Sequence, residues 1–570
     1  MTRTARVAIL LLTSLLLSCT ASAPSAGRPS ENAPSGGETS RQRTLVVALR
    51  LEPKGLALRP PTEEVSNVDH RRIFNADIAN VDEQAVPRPY LVEALPEINS
   101  DTWKVFPDGR METTYRLRPN LTWHDGAPLT AGDFVFGWRV YAKPDVGLAS
   151  QPPFNAISEV EATDDRTFVV RWKQLYPDAA HMTGRDRNLP ALPRHLLEES
   201  FNSQSVEDFV DNRYWTHGFV GLGPYRVTSW EPGAYLEAAA FDGHATGRPK
   251  IDRMKLVFIS DPDTVLANML SGDVDLASAT ALRIPQSLSL QQQWQGRQGG
   301  SVFYQVFVWH GVIVQFLPGL TTPRSLTDVR VRRALAHSID KPGINEAIFA
   351  GIATEADFFL PPNSQWGPDV QRGVVKHDLD VRLADQLMRE AGYEKGPDGI
   401  YSSPTDGPFA MELRAGTNDG NEAAILAKNW ETAGFKADQR IIPPAQAFDL
   451  ATKFGYPGVA ITTIPATERT VESPVPGNIP TPDNGWRGGS QLSWTDPTYT
   501  DLVNQFISTL DRDQRGQQMT QMAHVFGENL PAISLVFPPN VWAAAAGLKG
   551  PHEEPPETNV YWNIETWVLQ

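Results

Sequence analysis

One cysteine stands among 570 residues, which excludes an internal disulfide and a cysteine-rich zinc site. Basic residues are short as well. With 51 Lys and Arg against 67 Asp and Glu, the formal charge is −16, the wrong sign for broad binding to nucleic-acid phosphates. After the first 19 residues, no apolar run approaches the ~18–20 residues that a membrane-crossing helix needs. Common catalytic signatures are missing too: there is no G-x-S-x-G, no G-x-x-x-x-G-K-[ST] and no H-E-x-x-H. The 11 histidines do not fall at metal-ligand spacing. His124-Asp125 pairs a base with an orienter on paper, but sequence neighbours point apart, and "HDG" reads as a turn. Glu63-Glu64 and Glu553-Glu554 lie in proline-rich polar surroundings that suit solvated acids. These absences predict a protein that is not an enzyme and holds no cofactor and no metal. A carboxylate pair brought together only in space would escape such a search.

The position of that cysteine is informative. Arg3 and Arg6 precede an apolar core, Val7 to Leu17, too short for a stable membrane span, and Ser18-Cys19 closes it with small side chains. Leu16-Leu17-Ser18-Cys19 resembles a bacterial lipobox, in which the cysteine becomes the acylated first residue of the mature chain. The alternative is an ordinary cleaved signal with an incidental cysteine. Residues 1–19 are thus expected to be a lipoprotein signal peptide and Cys19 the lipidation site, each buried acyl methylene contributing about 0.8 kcal/mol of anchoring. Residues 20–43, nearly all Ser, Pro, Gly, Ala and polar, have too little to bury and read as a disordered tether.

Beyond the tether, strand and helix signals alternate. "TLVVALRLEP" is a β-rich run ending at Pro53. In "PLTAGDFVFGWRVY", Thr130 can cap a helix with Asp133 in its first turn. "GLGPYRVTSWEPGAYLEAAAF" reads as two strands joined at Glu231-Pro232-Gly233. Helices are expected to stop at Gly272, Gly392 and Gly434, and Asp328 to cap another. This alternation argues for α/β architecture. There are 15 tryptophans; Trp309, Trp366, Trp486, Trp494 and Trp542 fall outside obvious helix faces. Singly each suits a core, while as a group they suit a large cleft that grips an extended ligand.

Seven collinear stretches, "LVEALPEI", "YRLRPNLTWHDGAPLTAGDFVFGWR", "PALPRHLL", "GLGPYRVTSWEPGAYLEAAAF", "MLSGDVDLA", "DVRVRRALAHSID" and "ADQLMREAGY", resemble family 5 of the bacterial extracellular solute-binding proteins. These are the dipeptide, oligopeptide and nickel receptors of ATP-driven importers. The resemblance implies a two-lobed type II periplasmic-binding-protein fold with mixed sheets, a strand hinge and an extra inserted sub-domain. Residues 44–300 plus 531–570 would form lobe I, with the sub-domain at about 85–215, and residues 301–530 lobe II. "SVFYQVFVWH" and "PAISLVF" would be the hinge strands. It further implies an extracytoplasmic receptor that captures a peptide-like solute by lobe closure and delivers it to the permease subunits of an ABC importer. Such a protein would be a monomer that meets the membrane through its lipid anchor alone and does not touch nucleic acid. Two alternatives stay open: a lipid-anchored extracellular hydrolase, and a receptor that signals without transport.

The sequence also departs from the family. Peptide receptors carry an aspartate for the peptide amino group in a Trp- and Asp-rich stretch, but after "VAITT" the Trp-x-x-Asp pattern is replaced by Ile464-Pro465-Ala466. Asp483 beside Trp486 is the candidate substitute, with Trp486 stacking on the ligand. "VWHGVIVQF" departs as well, so Trp309 and His310 either face the cleft as specific readers or, for Trp309, pack the hinge. Glu52 matches a position that often faces ligand in this family; otherwise it is a solvated loop acid. These residues leave peptide, opine, sugar and metal chelate all possible as cargo.

Overall fold

The run Thr44–Leu49 is apolar on both sides because it lies inside a sheet, flanked by parallel strands Arg253–Phe258 and Leu276–Ala277. The computed structural model describes residues 44–58, 70–146, 148–182, 188–297, 299–447, 449–553, 555 and 558–570. Cys19 and the 20–43 tether lie outside the described residues.

That first sheet has seven strands, in the order Gly300–Val306, Pro539–Ala545, Leu276–Ala277, Thr44–Leu49, Arg253–Phe258, Tyr235–Ala240 and Tyr225–Glu231. The last two form the expected hairpin, turning at Gly233 with φ of 74°. A second, six-stranded sheet runs Thr354–Glu355, Ala532–Phe537, Val308–Val314, Val459–Pro465, Ala410–Gly416 and Lys436–Ile442. Both mix parallel and antiparallel pairs. A separate antiparallel sheet of four strands within residues 103–172 packs under the helix Ala131–Tyr141, where Phe134 stacks on Phe168 with ring centroids 4.6 Å apart. This helix starts as the sequence predicts: the Asp133 carboxylate accepts the Thr130 backbone N–H at 2.8 Å.

The chain passes from the first sheet to the second through Phe307 alone and returns through Pro538 alone. The strand Gly300–Val306 therefore belongs to lobe I. The lobes meet at 306/308 and 537/539, several residues past the expected divisions at 300/301 and 530/531. The shift has a physical cause: Gly300–Val306 pairs along its whole length with Pro539–Ala545, so both stay with the first sheet. Helix stops follow the sequence reading, with Gly272 and Gly434 taking positive φ of 83° and 109° after their helices.

Candidate functional site

A cavity of about 540 Å³ lies between the two lobes. Its lobe I wall includes a stretch within residues 71–80 that begins with the short helix Arg71–Phe74. Glycine fixes this wall: a Cβ on Gly221 would sit 2.1 Å from the Phe74 carbonyl oxygen, and one on Gly223 2.3 Å from the Phe74 carbonyl carbon. Only glycine lets "GLG" close on that backbone, which explains the motif. Arg72 is clamped in place, donating to Tyr90 Oη at 2.5 Å and Trp562 O at 3.0 Å, and pairing with Glu565 at 3.3 Å.

Asp77 lies in the same wall. Burial pushes its carboxyl up to about 6, against the opposing pull of the Asn188 hydrogen bond and the guanidinium groups of Arg72 and Arg71. A carboxyl whose folded pKa exceeds its unfolded one supports folding while protonated. That support is full below the ordinary 3.8 and lost as pH rises through about 6. Asp77→Asn is neutral at every pH. It is expected to be more stable than the parent by about 1–3 kcal/mol at pH 7.5 but not at pH 3.5, as thermal unfolding at the two pH values will show.

The lobe II wall is more charged. Glu468 accepts from Gln365 Nε2 at 2.8 Å, from Trp366 Nε1 and from Arg515 Nη2 at 3.1 Å. Arg515 lies over the Phe506 ring at 4.1 Å and reaches Asp178, from lobe I, at 3.9 Å. Arg512 lies over Trp366 at 3.6 Å and pairs with Asp369 at 3.0 Å. Beside them, Arg469 Nη1 crosses the lobe boundary to Gln151 Oε1 at 3.1 Å. Direct polar contacts thus join the two lobes beside the cavity, and its three lining acids, Asp77, Asp178 and Glu468, each stand beside a guanidinium. Among the described residues, no group of three or more His, Cys, Asp or Glu side chains is placed to hold a metal ion.

None of the five candidate ligand residues lines this cavity. Glu52 ties down the Tyr225–Ala240 hairpin, accepting Trp230 Nε1–H at 2.7 Å and Gly233 N–H at 2.8 Å. It is half-buried and lies outside the cavity. Trp309 is fully buried, donates to Ser534 Oγ at 3.0 Å and packs edge-on against Phe359. His310 faces the opposite side of the same strand, held between Thr463 Oγ1 at 2.8 Å and Glu422 Oε2 at 2.7 Å. Both point into cores because Val308–Val314 is an interior strand with each face covered. Asp483 is exposed in a short 3-10 turn, and Trp486 is half-buried, its ring lying against Gly455. Of the tryptophans singled out, Trp366 lines the cavity. Sequence reasoning missed Arg71, Asp77, Asp178, Glu468, Arg469 and Arg515. The one available signal was the broken motif after "VAITT", whose next residues include Glu468 and Arg469.

Two α/β lobes joined by paired crossing strands around a cavity of mixed polar and apolar lining have the build of a solute-binding protein. The family model for bacterial extracellular solute-binding proteins, family 5, matches residues 93–468, and the chain belongs to that family. It is 23% identical to the oligopeptide-binding protein AppA of Bacillus subtilis, over 99% of this chain and 98% of that protein. The fold is that of the Thermus thermophilus oligopeptide-binding protein complexed with a pentapeptide (TM-score 0.71, 18% identity, 93% of this chain and 96% of that one). It is also that of NikA from Brucella suis in complex with Fe(III)-EDTA (TM-score 0.74, 16% identity, 93% of this chain and 100% of that one). The family's members are binding proteins for import, and no helix among the described residues is long and apolar enough to cross a membrane.

Proposed function

We propose that this chain is a lipid-anchored, extracytoplasmic receptor that captures a small, peptide-like solute in the cavity between its lobes and presents it to the permease subunits of an ABC importer. Cys19 is the anchor, and the protein acts as a monomer without catalysing a reaction. The carrying observation is a cavity walled by both lobes, with side chains of one lobe bonded to the other at its edge. A solute that fills such a space makes contacts only the closed form can offer, and so shifts the population toward closure. Phe307 and Pro538, the single residues between the sheets, are where a hinge of this kind bends. The relatives support capture and leave the cargo open, since one is named for oligopeptides and another was crystallised with a metal chelate.

Native mass spectrometry of the full chain tests this reading. A co-purified solute is expected as a mass excess that disappears on denaturation. Ala191→Trp and Ala57→Trp, which fill the cavity from two separate points, are expected to abolish it while their thermal unfolding stays cooperative. An excess that persists in both folded variants would place the solute elsewhere and sink the proposal.

A further inference from the structure

The charged side chains around the cavity are not equally neutralised. Arg72 has Glu565, Arg512 has Asp369, Arg515 has Glu468 and Asp178, and Arg71 stands beside Asp77. Arg469 is the exception. Its bonded partner is the neutral side-chain amide of Gln151, and no described carboxylate lies within ion-pair distance of its guanidinium. Neighbouring Glu468 does not compensate, because that carboxylate is already taken up by Trp366, Gln365 and Arg515.

A guanidinium offers paired N–H donors in a plane that matches a carboxylate. An amide oxygen satisfies one of those donors and none of the charge. Around a half-buried guanidinium the remaining positive field is less screened than at the open surface, so an anion arriving there gains more. An ammonium would meet the opposite: the lobe II acid nearest this point is bonded internally, and Arg469 repels it.

We propose that Arg469 reads a carboxylate on the captured solute, which takes the place of Gln151 in a two-pronged bond. The cargo is then a compact, carboxylate-bearing molecule and not one recognised by a free amine. The proposal rests on capture in the cavity, as argued above. It also means that the cargo and Gln151 compete for one guanidinium, so binding exchanges this cross-lobe bond for a bond to the solute.

Three tripeptides of equal length separate charge from size: N-acetyl-Ala-Glu-Ala with two carboxylates, N-acetyl-Ala-Gln-Ala amide with none, and Ala-Lys-Ala amide with two amines. Calorimetric titration of the full chain at pH 7.5 is expected to show the diacid binding at least about 10-fold tighter than either companion, or about 1.4 kcal/mol. Arg469→Gln should remove that preference and leave the neutral peptide unchanged, with Arg469→Lys in between because it keeps the charge and loses the fork. Gln151→Ala, which breaks the bridge without touching the cation, should keep or tighten diacid binding. A neutral or amine peptide binding as well as the diacid overturns the proposal, as does Arg469→Gln retaining the preference or failure of the wild type to bind the diacid. None of these results touches capture itself, which stands or falls on the mass excess and the two cavity-filling variants.

Discussion

Glu468→Ala is expected to lower stability by about 3–5 kcal/mol, the cost of stranding a buried charge. The side chains of Glu468 and Arg515 are 12% and 8% exposed, and removing the acid leaves Arg515 with Asp178 at 3.9 Å as its remaining ion-pair contact. Trp366 Nε1 loses its acceptor at the same time. Denaturant titration should show a lower midpoint with an unchanged slope, as for a stability change without a change in surface exposed. The loss comes from the stranded cation, not from an intrinsically strong pair. The double change Glu468→Leu with Arg515→Met is therefore expected to recover much of it, because well-packed apolar side chains replace buried pairs at little cost. If the double variant is as unstable as the single one, Arg515 is needed for its other contacts, to Phe506 and Asp178.

Trp309→Ala should be comparably damaging, by about 3–5 kcal/mol, for a different reason. The indole is fully buried among Ile313, Phe359, Phe526 and their neighbours, and its deletion leaves a cavity that a packed strand interior cannot collapse to fill. It also strips Ser534 Oγ of its donor. Trp309→Phe keeps most of the volume and is expected to lose less. Thermal unfolding measures the stability, and the mass excess measured on the folded Trp309→Phe protein separates core packing from recognition. A packing role predicts undiminished ligand, whereas a reader of the cargo would lose it.

The contrast between Trp309 and Arg469 shows what was legible in the sequence. The hairpin at Gly233, the helix stops at Gly272 and Gly434 and the cap at Thr130 are set by neighbours in sequence, and each was readable from local chemistry. The family was readable because its motifs are collinear stretches. The cavity is different in kind. Arg71, Asp178, Glu468 and Arg515 come from four distant segments, and no local pattern announces that they meet. Trp309 and His310 stand out because "VWHGVIVQF" departs from the family, but sequence does not tell whether a strand end opens on a cleft or is covered on both faces. The segment after "VAITT" was recognisably altered. Beside that break the structure places an internally bonded Glu468 and a guanidinium in the cavity wall, while Asp483, the substitute suggested by the sequence, lies exposed and outside it.

The paired crossings also bear on how the chain is made. Ala532–Phe537 lies between Thr354–Glu355 and Val308–Val314 in one sheet, and Pro539–Ala545 lies between Gly300–Val306 and Leu276–Ala277 in the other. A single late stretch thus supplies an interior strand to each lobe. Until residues 532–545 are in place each sheet has a gap, with unpaired backbone edges of the sort that recruit chaperones or aggregate. Neither lobe can mature ahead of the other, and both are completed by the same late segment of the chain.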